Sequence, residues 1–341
     1  MKIFALLLAA LPLIAQTNRT VTVKPSGGDY TSLAAAVAGE SKNLVSLNRQ
    51  LTIECYAMED TAAVVFDRTA WTTDATRYIL VTVPPPERHA GVYNTSKYRL
   101  VVSNANPMQI HHGVFITVEW LQIHLASGTT MRVLYLGGST NSASNITIRN
   151  NIFRTIAQTN NSVIHGSFTG NASTNVYIYN NLMHGGTGTQ NYGFQTEIPG
   201  NYYLWNNTVA GGTGGLFRNG DGNVVARNNL LSVSTTAASG TFGAGSGYNA
   251  TNLSGMGYTV TGGATGDRVS QTFTFVNAGA SDWHLAETDA GARNFGLTDP
   301  GSGMFGNDID GQTRSGAWDI GADEVPSTGR RRVVVASRRE R

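Results

Sequence analysis

The chain has 341 residues, of which 13% are charged, and its formal net charge is +2. A typical globular domain has about 25% charged residues, so long helices held by surface ion pairs are not expected. The small net charge argues against a nucleic-acid partner, because such proteins carry concentrated basic surfaces. The single cysteine, Cys55, excludes an intrachain disulfide.

The first predicted element is an export signal at residues 1–15. Lys2 is followed by the apolar run "IFALLLAALPLIA", which is short for a membrane span and typical of a cleaved signal peptide. The alternative is a buried N-terminal strand or helix. No later stretch could span a bilayer as a helix. We therefore expect a secreted or cell-surface protein with no transmembrane segment in the mature chain.

A short capping helix is predicted next, within residues 25–40. The sequence "GGDYTSLAAAVAG" reads as a turn followed by a short amphipathic helix, with Thr31 or Ser32 as the N-cap. Strand-like segments follow at 78–83, 98–104 and 114–123. A helix that precedes stacked strands would cover the open end of a solenoid.

Four similar segments then recur at 145, 175, 201 and 223, and their spacings are 30, 26 and 22 residues. They read "NITIRNN", "NVYIYNN", "NYYLWNN" and "NVVARNN". Apolar residues alternate within each segment, which predicts a strand with one buried face. Ile116 precedes Ile146 by the same 30 residues, so the repeat extends towards the N-terminus. Each unit holds about three short strands, and stacked units of this kind form a solenoid.

The asparagine pair that ends each segment has a structural interpretation. Asparagine tolerates the left-handed backbone conformation that a sharp corner requires, and stacked asparagines form hydrogen-bonded ladders. We favour this interpretation over direct ligand contact. Trp120 and Leu121 occupy the equivalent place one unit earlier, so that corner is expected to be built differently.

The chain is therefore predicted to form one solenoid domain at residues 16–325. Its C-terminal closing segment covers about residues 272–325, and a basic tail follows at 326–341. The tail is rich in arginine and is expected to be disordered, with weak attraction to anionic polymers or membranes.

These features resemble those of secreted bacterial right-handed parallel β-helix proteins with pectate-lyase-like architecture. The opening "VTVKPSGGDYTSLAAAV", the repeated asparagine corners and the closing Asp-x-Asp-Gly-x-x-Arg and Asp-x-Gly-Ala-x-Glu pattern carry the resemblance. It implies an all-β, single-stranded right-handed parallel β-helix, expected to be a monomer. The closing pattern, which ends the last coil in such proteins, comprises Asp308, Asp310, Gly311, Arg314, Asp319, Gly321, Ala322 and Glu324.

The resemblance is specific for architecture and poor for reaction type, because one fold hosts many functions. The Asp-Asp pair and Gly-His-Gly of polygalacturonase-like hydrolases are absent, as is the Arg-x-Pro-x-x-Arg of pectate lyases. An extracellular polysaccharide is the expected partner. The expected reaction, if there is one, is β-elimination on an acidic glycan, which needs a base and a cation.

Alignment of the third strand of consecutive units predicts where these groups lie. His165, Glu197 and Arg218 are the catalytic candidates, since equivalent positions in stacked coils form columns about 4.8 Å apart. The substrate-binding candidates are Gln195 and Phe217 on the same strands, and Arg154 and His184 in a second column after the asparagine pairs. The alternative is that they are solvated surface residues or groups that form local hydrogen bonds.

No metal or cofactor is firmly predicted. A calcium site in the Asp308–Glu324 cluster is considered because hard cations prefer carboxylate oxygens. The favoured interpretation is a set of tight turns in which Arg314 pairs with Asp319 or Asp308. At the level of function, the alternative to a lyase is a non-catalytic cell-surface, adhesion or structural protein.

Overall fold

The structure is a computed structural model, and it describes residues 15–138, 143–155, 162–168, 174–185, 192–197, 199–218 and 222–326. Within these ranges the chain forms three parallel sheets of eight strands each. From Arg49 onwards, successive strands of the three sheets belong to different sheets, and each pairs with the equivalent strand of the next coil. The predicted right-handed parallel β-helix is confirmed. The export signal and the tail beyond residue 326 lie outside the described residues.

The first sheet holds the strands that end at the asparagine corners. Its strands are Thr17–Val23, Arg49–Cys55, Ile79–Thr82, Ile116–Glu119, Ser144–Arg149, Thr174–Tyr179, Asn201–Trp205 and Asn223–Arg227.

The second sheet follows directly after each corner. Its strands are Glu59–Asp60, Arg99–Ser103, Gln122–Ser127, Ile152–Thr155, Leu182–Gly185, Thr208–Ala210, Leu230–Ser232 and Ala250–Thr251.

The third sheet completes each coil. Its strands are Val64–Phe66, Met108–His111, Arg132–Gly138, Ser162–Phe168, Tyr192–Thr196, Gly214–Arg218, Thr236–Phe242 and Tyr258–Val260. An antiparallel pair, Phe275–Asn277 and Asp282–Leu285, lies outside the three sheets.

The register agrees with the repeat seen in the sequence. Ile146 pairs with Ile116 on one side and with Val176 on the other, as the 30-residue spacing predicts. Ile146 and Ile148 are fully buried, whereas the alternating residue Thr147 is partly exposed. The core is therefore a column of apolar side chains that runs along the inside of all the coils.

The two asparagines of each pair do different work. The first adopts a left-handed backbone, with φ of 54° at Asn150 and 52° at Asn180. The second is buried and donates its amide to the equivalent asparagine of the next coil at 2.9–3.1 Å, through Asn151, Asn181, Asn207, Asn229 and Asn249. The predicted asparagine ladder is confirmed, and it ends where Asp267 accepts the backbone N–H of Asn249 at 2.9 Å.

Trp120 stands at the corner that lacks the asparagine pair. Its φ of 64° is the same left-handed conformation, so the backbone of this corner matches the others and only the side chains differ. Leu121 takes the second position, and its backbone N–H donates to Asn151 Oδ1 at 3.0 Å. Asn151 thus accepts the backbone N–H of a corner that has no asparagine side chain of its own.

The N-terminal capping helix runs from Leu33 to Glu40, inside the predicted range. Ser32, and not Thr31, is its N-cap, because the Ser32 hydroxyl accepts the N–H of Ala35 at 3.1 Å. Leu33 and Ala36 are fully buried against the first coils. Short 3₁₀ turns occur at Pro85–Glu87 and Ala278–Ala280.

The C-terminal segment runs along the side of the solenoid and crosses the corners of four coils. The first asparagine of each pair binds it, with bonds of 2.6–3.1 Å from Asn150 to the Asp308 carbonyl, Asn180 to Asn307, Asn206 to Gly321 and Asn228 to Leu297. The sequence predicts that this segment closes the last coil, but its contacts extend over a much longer stretch of the molecule.

The same segment covers apolar residues on the outer face of the second sheet. Ile152 and Leu182 pack against Ile309 and Ala322, and a second cluster joins Leu230 to Ile320 and other residues of the segment. Within the described ranges, no helix is both long and apolar enough to cross a bilayer.

Candidate functional site

The predicted catalytic face lies on the outer side of the third sheet. His165 pairs in register with Tyr135 of the preceding coil and Gln195 of the following one. Phe217 continues this column one coil further. The predicted alignment of His165, Gln195 and Phe217 is therefore present in the backbone register.

Side chains from three coils contact one another around His165. The imidazole stacks on the Tyr135 ring, with centroids 5.9 Å apart and planes 15° apart. His165 Nδ1 lies 3.3 Å from Ser162 Oγ, and His165 Nε2 lies 3.9 Å from Glu197 Oε2. Gln195 donates to the other oxygen of Glu197 at 3.1 Å. We call Arg132, Tyr135, His165, Gln195 and Glu197 the His165 cluster.

The protonation state of His165 follows from its surroundings. Burial lowers its pKa to about 4, and the positive charge of Arg132 acts in the same direction, whereas a hydrogen bond to Gln195 acts to raise it. At neutral pH the imidazole is therefore uncharged. Only 3% of His165 is exposed, whereas Glu197 is exposed. The glutamate, and not the histidine, presents its functional group to solvent.

Arg218 does not share the column of His165. Its backbone pairs with Thr196, one residue before Glu197, and Thr196 in turn pairs with Gly166. The side chains of Arg218 and Phe217 lie outside the described residues. Among the described side chains, Arg132 provides a positive charge to this cluster. Its charge lowers the pKa of His165, and the charge of Glu197 acts to raise the pKa of Arg132.

Arg132 and Tyr135 are absent from the sequence-based candidates. Both lie 30 residues before their partners in the next coil, since Tyr135 pairs with His165 and Arg132 pairs with Ser162, which contacts His165. The 30-residue spacing between Ile116 and Ile146 contains this information. Applying it to the third strand would have found both residues.

The second predicted column is assembled but covered. Arg154 pairs in register with His184, as expected, and also with His124 of the preceding coil. The Arg154 guanidinium lies 5.0 Å from the centre of the Tyr93 ring, and the His184 ring lies 6.4 Å from that of Trp283. His184 is only 5% exposed, and burial lowers its pKa to about 4. This column therefore forms no open groove.

The Asp308–Glu324 cluster holds the C-terminal segment together through protein contacts. Arg314 forms its ion pair with Glu324, at 3.2 Å between Nη1 and Oε2, and not with Asp319 or Asp308 as the sequence interpretation has it. The Asp308 carboxylate accepts the backbone N–H groups of Asp310 and Gln312 at 2.9 and 2.8 Å. These oxygens are used by protein donors, which disfavours the calcium site considered for them.

A group that takes Asp310 and Asp323 from this cluster and adds His284 could hold a metal ion. His284, Asp310 and Asp323 each offer one ligand atom, and these atoms lie within 4.8 Å of one another. Both nitrogens of His284 contact carboxylates, Asp282 at 2.6 Å and Asp310 at 3.1 Å. Calcium prefers six to eight oxygen ligands, so a group that includes an imidazole fits a transition metal better than calcium.

No protein-family model and no curated protein matches the chain. Its fold is that of a parallel β-helix solenoid, a scaffold that by itself does not specify a reaction. Function therefore has to be inferred from the geometry of the described side chains.

Proposed function

We propose that the protein binds an acidic extracellular polysaccharide across the outer face of the third sheet, at the His165 cluster. The observation that carries the proposal is the combination of a cation, an aromatic ring and a solvent-facing polar edge within three successive coils. Arg132 supplies the positive charge, Tyr135 supplies the ring, and Gln195 with Glu197 supply the polar edge. The predicted export signal and the resemblance to pectate-lyase-like proteins support an extracellular glycan.

The roles follow from the chemistry of each group. A guanidinium recognises a carboxylate or sulfate by charge and by paired hydrogen bonds. An aromatic ring packs against the apolar face of a sugar, and amide and carboxylate groups bond its hydroxyls. Stacked coils repeat these positions about every 4.8 Å, which suits an extended polymer better than a compact ligand.

Binding is favoured over β-elimination because His165 is almost completely buried. A general base must come within hydrogen-bond distance of the proton that it removes. The imidazole is unprotonated at neutral pH, but a pKa of about 4 makes it a weak base, and its buried position does not meet the geometric requirement. A non-catalytic surface role is therefore the stronger form of the proposal.

The test is a panel of acidic and neutral polysaccharides with the purified mature chain, followed by isothermal titration calorimetry. We expect saturable binding of acidic polymers and a loss of roughly tenfold, about 1.4 kcal/mol, in Arg132→Gln. Lys42→Gln removes the same charge at the N-terminal end and should leave binding unchanged. Arg132→Gln should also raise the pKa of His165 in an NMR titration, because one positive neighbour is gone.

Ultraviolet absorbance of unsaturated sugars, measured in the same mixtures, separates a lyase from a binding protein. We expect no such product. Product formation that is lost in His165→Ala would show that the protein is a lyase, and failure to bind any acidic polymer would overturn the proposal altogether.

A further inference from the structure

We propose that a second site, at the corner between the first and second sheets, binds the carboxylate of a single small ring-bearing acid. The corner holds a pocket of about 210 Å³ whose lining includes Arg88, Trp120, Arg149 and Tyr179. Phe305 of the C-terminal segment forms its outer wall. This pocket lies away from the third sheet and does not depend on the function proposed for the His165 cluster.

One of the two arginines in the pocket is already neutralised. Arg149 Nη2 and Nε contact Glu119 Oε2 at 2.5 and 2.6 Å. The other Glu119 oxygen accepts the Thr82 hydroxyl at 2.8 Å, and Arg149 Nη1 donates to the Tyr179 hydroxyl at 3.3 Å. This buried carboxylate is therefore fully engaged with its own arginine.

The second arginine has no such partner. Arg88 donates from Nε to the Val83 carbonyl at 3.0 Å, and its guanidinium lies 4.3 Å from the centre of the Trp120 ring. Among the described residues, no carboxylate forms an ion pair with Arg88, and its partial burial and the like charge of Arg149 lower its pKa despite the attraction of Glu119. A partly buried charge without a counter-ion is costly, and an anion in the pocket would relieve that cost.

The volume of the pocket and the residues that line it restrict which anions could bind there. Pockets for drug-sized ligands measure roughly 300–1,000 Å³, so 210 Å³ accepts one small unit and not a polymer. The Tyr179 and Phe305 rings stack with centroids 4.5 Å apart, which adds an apolar surface to the pocket that the Arg88 guanidinium also lines. A carboxylate attached to a ring can contact both the guanidinium and the apolar surface. A uronic acid and an aromatic acid share this chemistry.

The experiment compares two acids with their neutral counterparts by titration calorimetry. Glucuronate is paired with glucose, and benzoate with benzyl alcohol, so that the arms separate a sugar source from an aromatic one. We expect at least one acid to bind at least tenfold more tightly than its neutral counterpart. Arg88→Gln should weaken that binding at least tenfold. Arg88→Lys should retain part of the affinity, because the positive charge remains but the paired donors of the guanidinium are lost.

Arg68→Gln is the matched control, since it removes one arginine outside the pocket and should change nothing. Thermal unfolding of every variant checks that the fold persists, and Arg88→Lys provides a readout if Arg88→Gln does not fold. The absence of saturable binding by both acids, equal binding of the neutral compounds, or full affinity in Arg88→Gln would each overturn the proposal. The variants Arg132→Gln and Lys42→Gln should leave this binding intact, which distinguishes it from glycan binding on the third sheet.

Discussion

Asn181 and Asn175 lie in the same coil and show how position decides what an asparagine contributes. Asn181 is fully buried; it donates to Asn207 and to the carbonyls of Ile148 and Tyr179, and accepts from Asn151. Asn175 sits at the strand start, where its amide donates to Asn145 at 3.2 Å near solvent. The sequence pattern identifies both residues, but only the buried environment makes one of them indispensable.

Asn181→Ala should therefore lower the free energy of unfolding by on the order of 3 kcal/mol, because several buried polar groups lose their partner at once. Asn175→Ala, the control, should cost less than about 1 kcal/mol, since water replaces its two bonds, one to Asn145 and one from Asn201. Urea denaturation of the two variants measures both values. Equal losses would contradict the distinction between the inner ladder and the outer one.

The His165 side chain shows a limit of residue-level prediction. The alternation in its strand places it on the outer face, and an outer residue is expected to be exposed. Contacts with Tyr135 of the preceding coil and with Ser162 bury it instead. Such contacts depend on which side chains occupy neighbouring coils, so alternation alone could not predict them.

Among the larger elements, the coils are predictable and the C-terminal segment is not. Alternating apolar residues and left-handed corners are local properties, and the pairing of Ile116 with Ile146 follows directly from the spacing. The path of the segment depends instead on contacts such as Asn150 to Asp308, which are 158 residues apart. Its motif resembles a known closure, but the motif does not encode the surface on which the segment lies.

Arg314 holds this segment to the solenoid, and its replacement is the test at the level of the element. The guanidinium bonds Glu324, Asn180 Oδ1 and the carbonyls of Gly321 and Ala322. Arg314→Met should cost about 3–5 kcal/mol, since it leaves a buried carboxylate without its partner.

Hydrogen exchange should localise the effect of Arg314→Met to residues 294–326 and to the asparagine corners beneath them. Arg293→Met, in the same segment, should cost less than about 1 kcal/mol because this partly exposed arginine makes one bond, to the Glu287 carbonyl. Uniform exchange along the whole chain in Arg314→Met would argue against a separate role for the segment.

Across the whole molecule, several histidines occupy buried positions that disfavour their protonated form. Burial lowers the pKa of His112, His124, His165 and His184 to about 4. In the unfolded chain these groups titrate near pH 6.5. Between these two values the unfolded state binds more protons at these four histidines than the folded state does, so their contribution to folding stability is fully present above pH 6.5 and is lost as the pH falls towards 4.

Melting temperatures measured from about pH 7 down to about pH 4.5 should therefore decrease, with a slope of at most about 1.4 kcal/mol per pH unit for each histidine. Replacing one of them, as in His124→Gln, should make the slope shallower. A slope that His124→Gln leaves unchanged would show that His124 is charged in the folded state.

The asparagine ladder also gives the solenoid a direction. In each asparagine–asparagine bond of the ladder the amide donates towards the C-terminal coil. Asn249 in the last rung meets Asp267, whose oxygens accept from Asn249 and from the Tyr258 hydroxyl. An ionised carboxylate has no hydrogen to pass on, so the series of donors stops there. A second molecule stacked on this end would face an acceptor where every earlier coil receives a donor. The final rung therefore cannot continue the series of hydrogen bonds into another molecule. This favours a solenoid of fixed length over a fibre that grows by stacking.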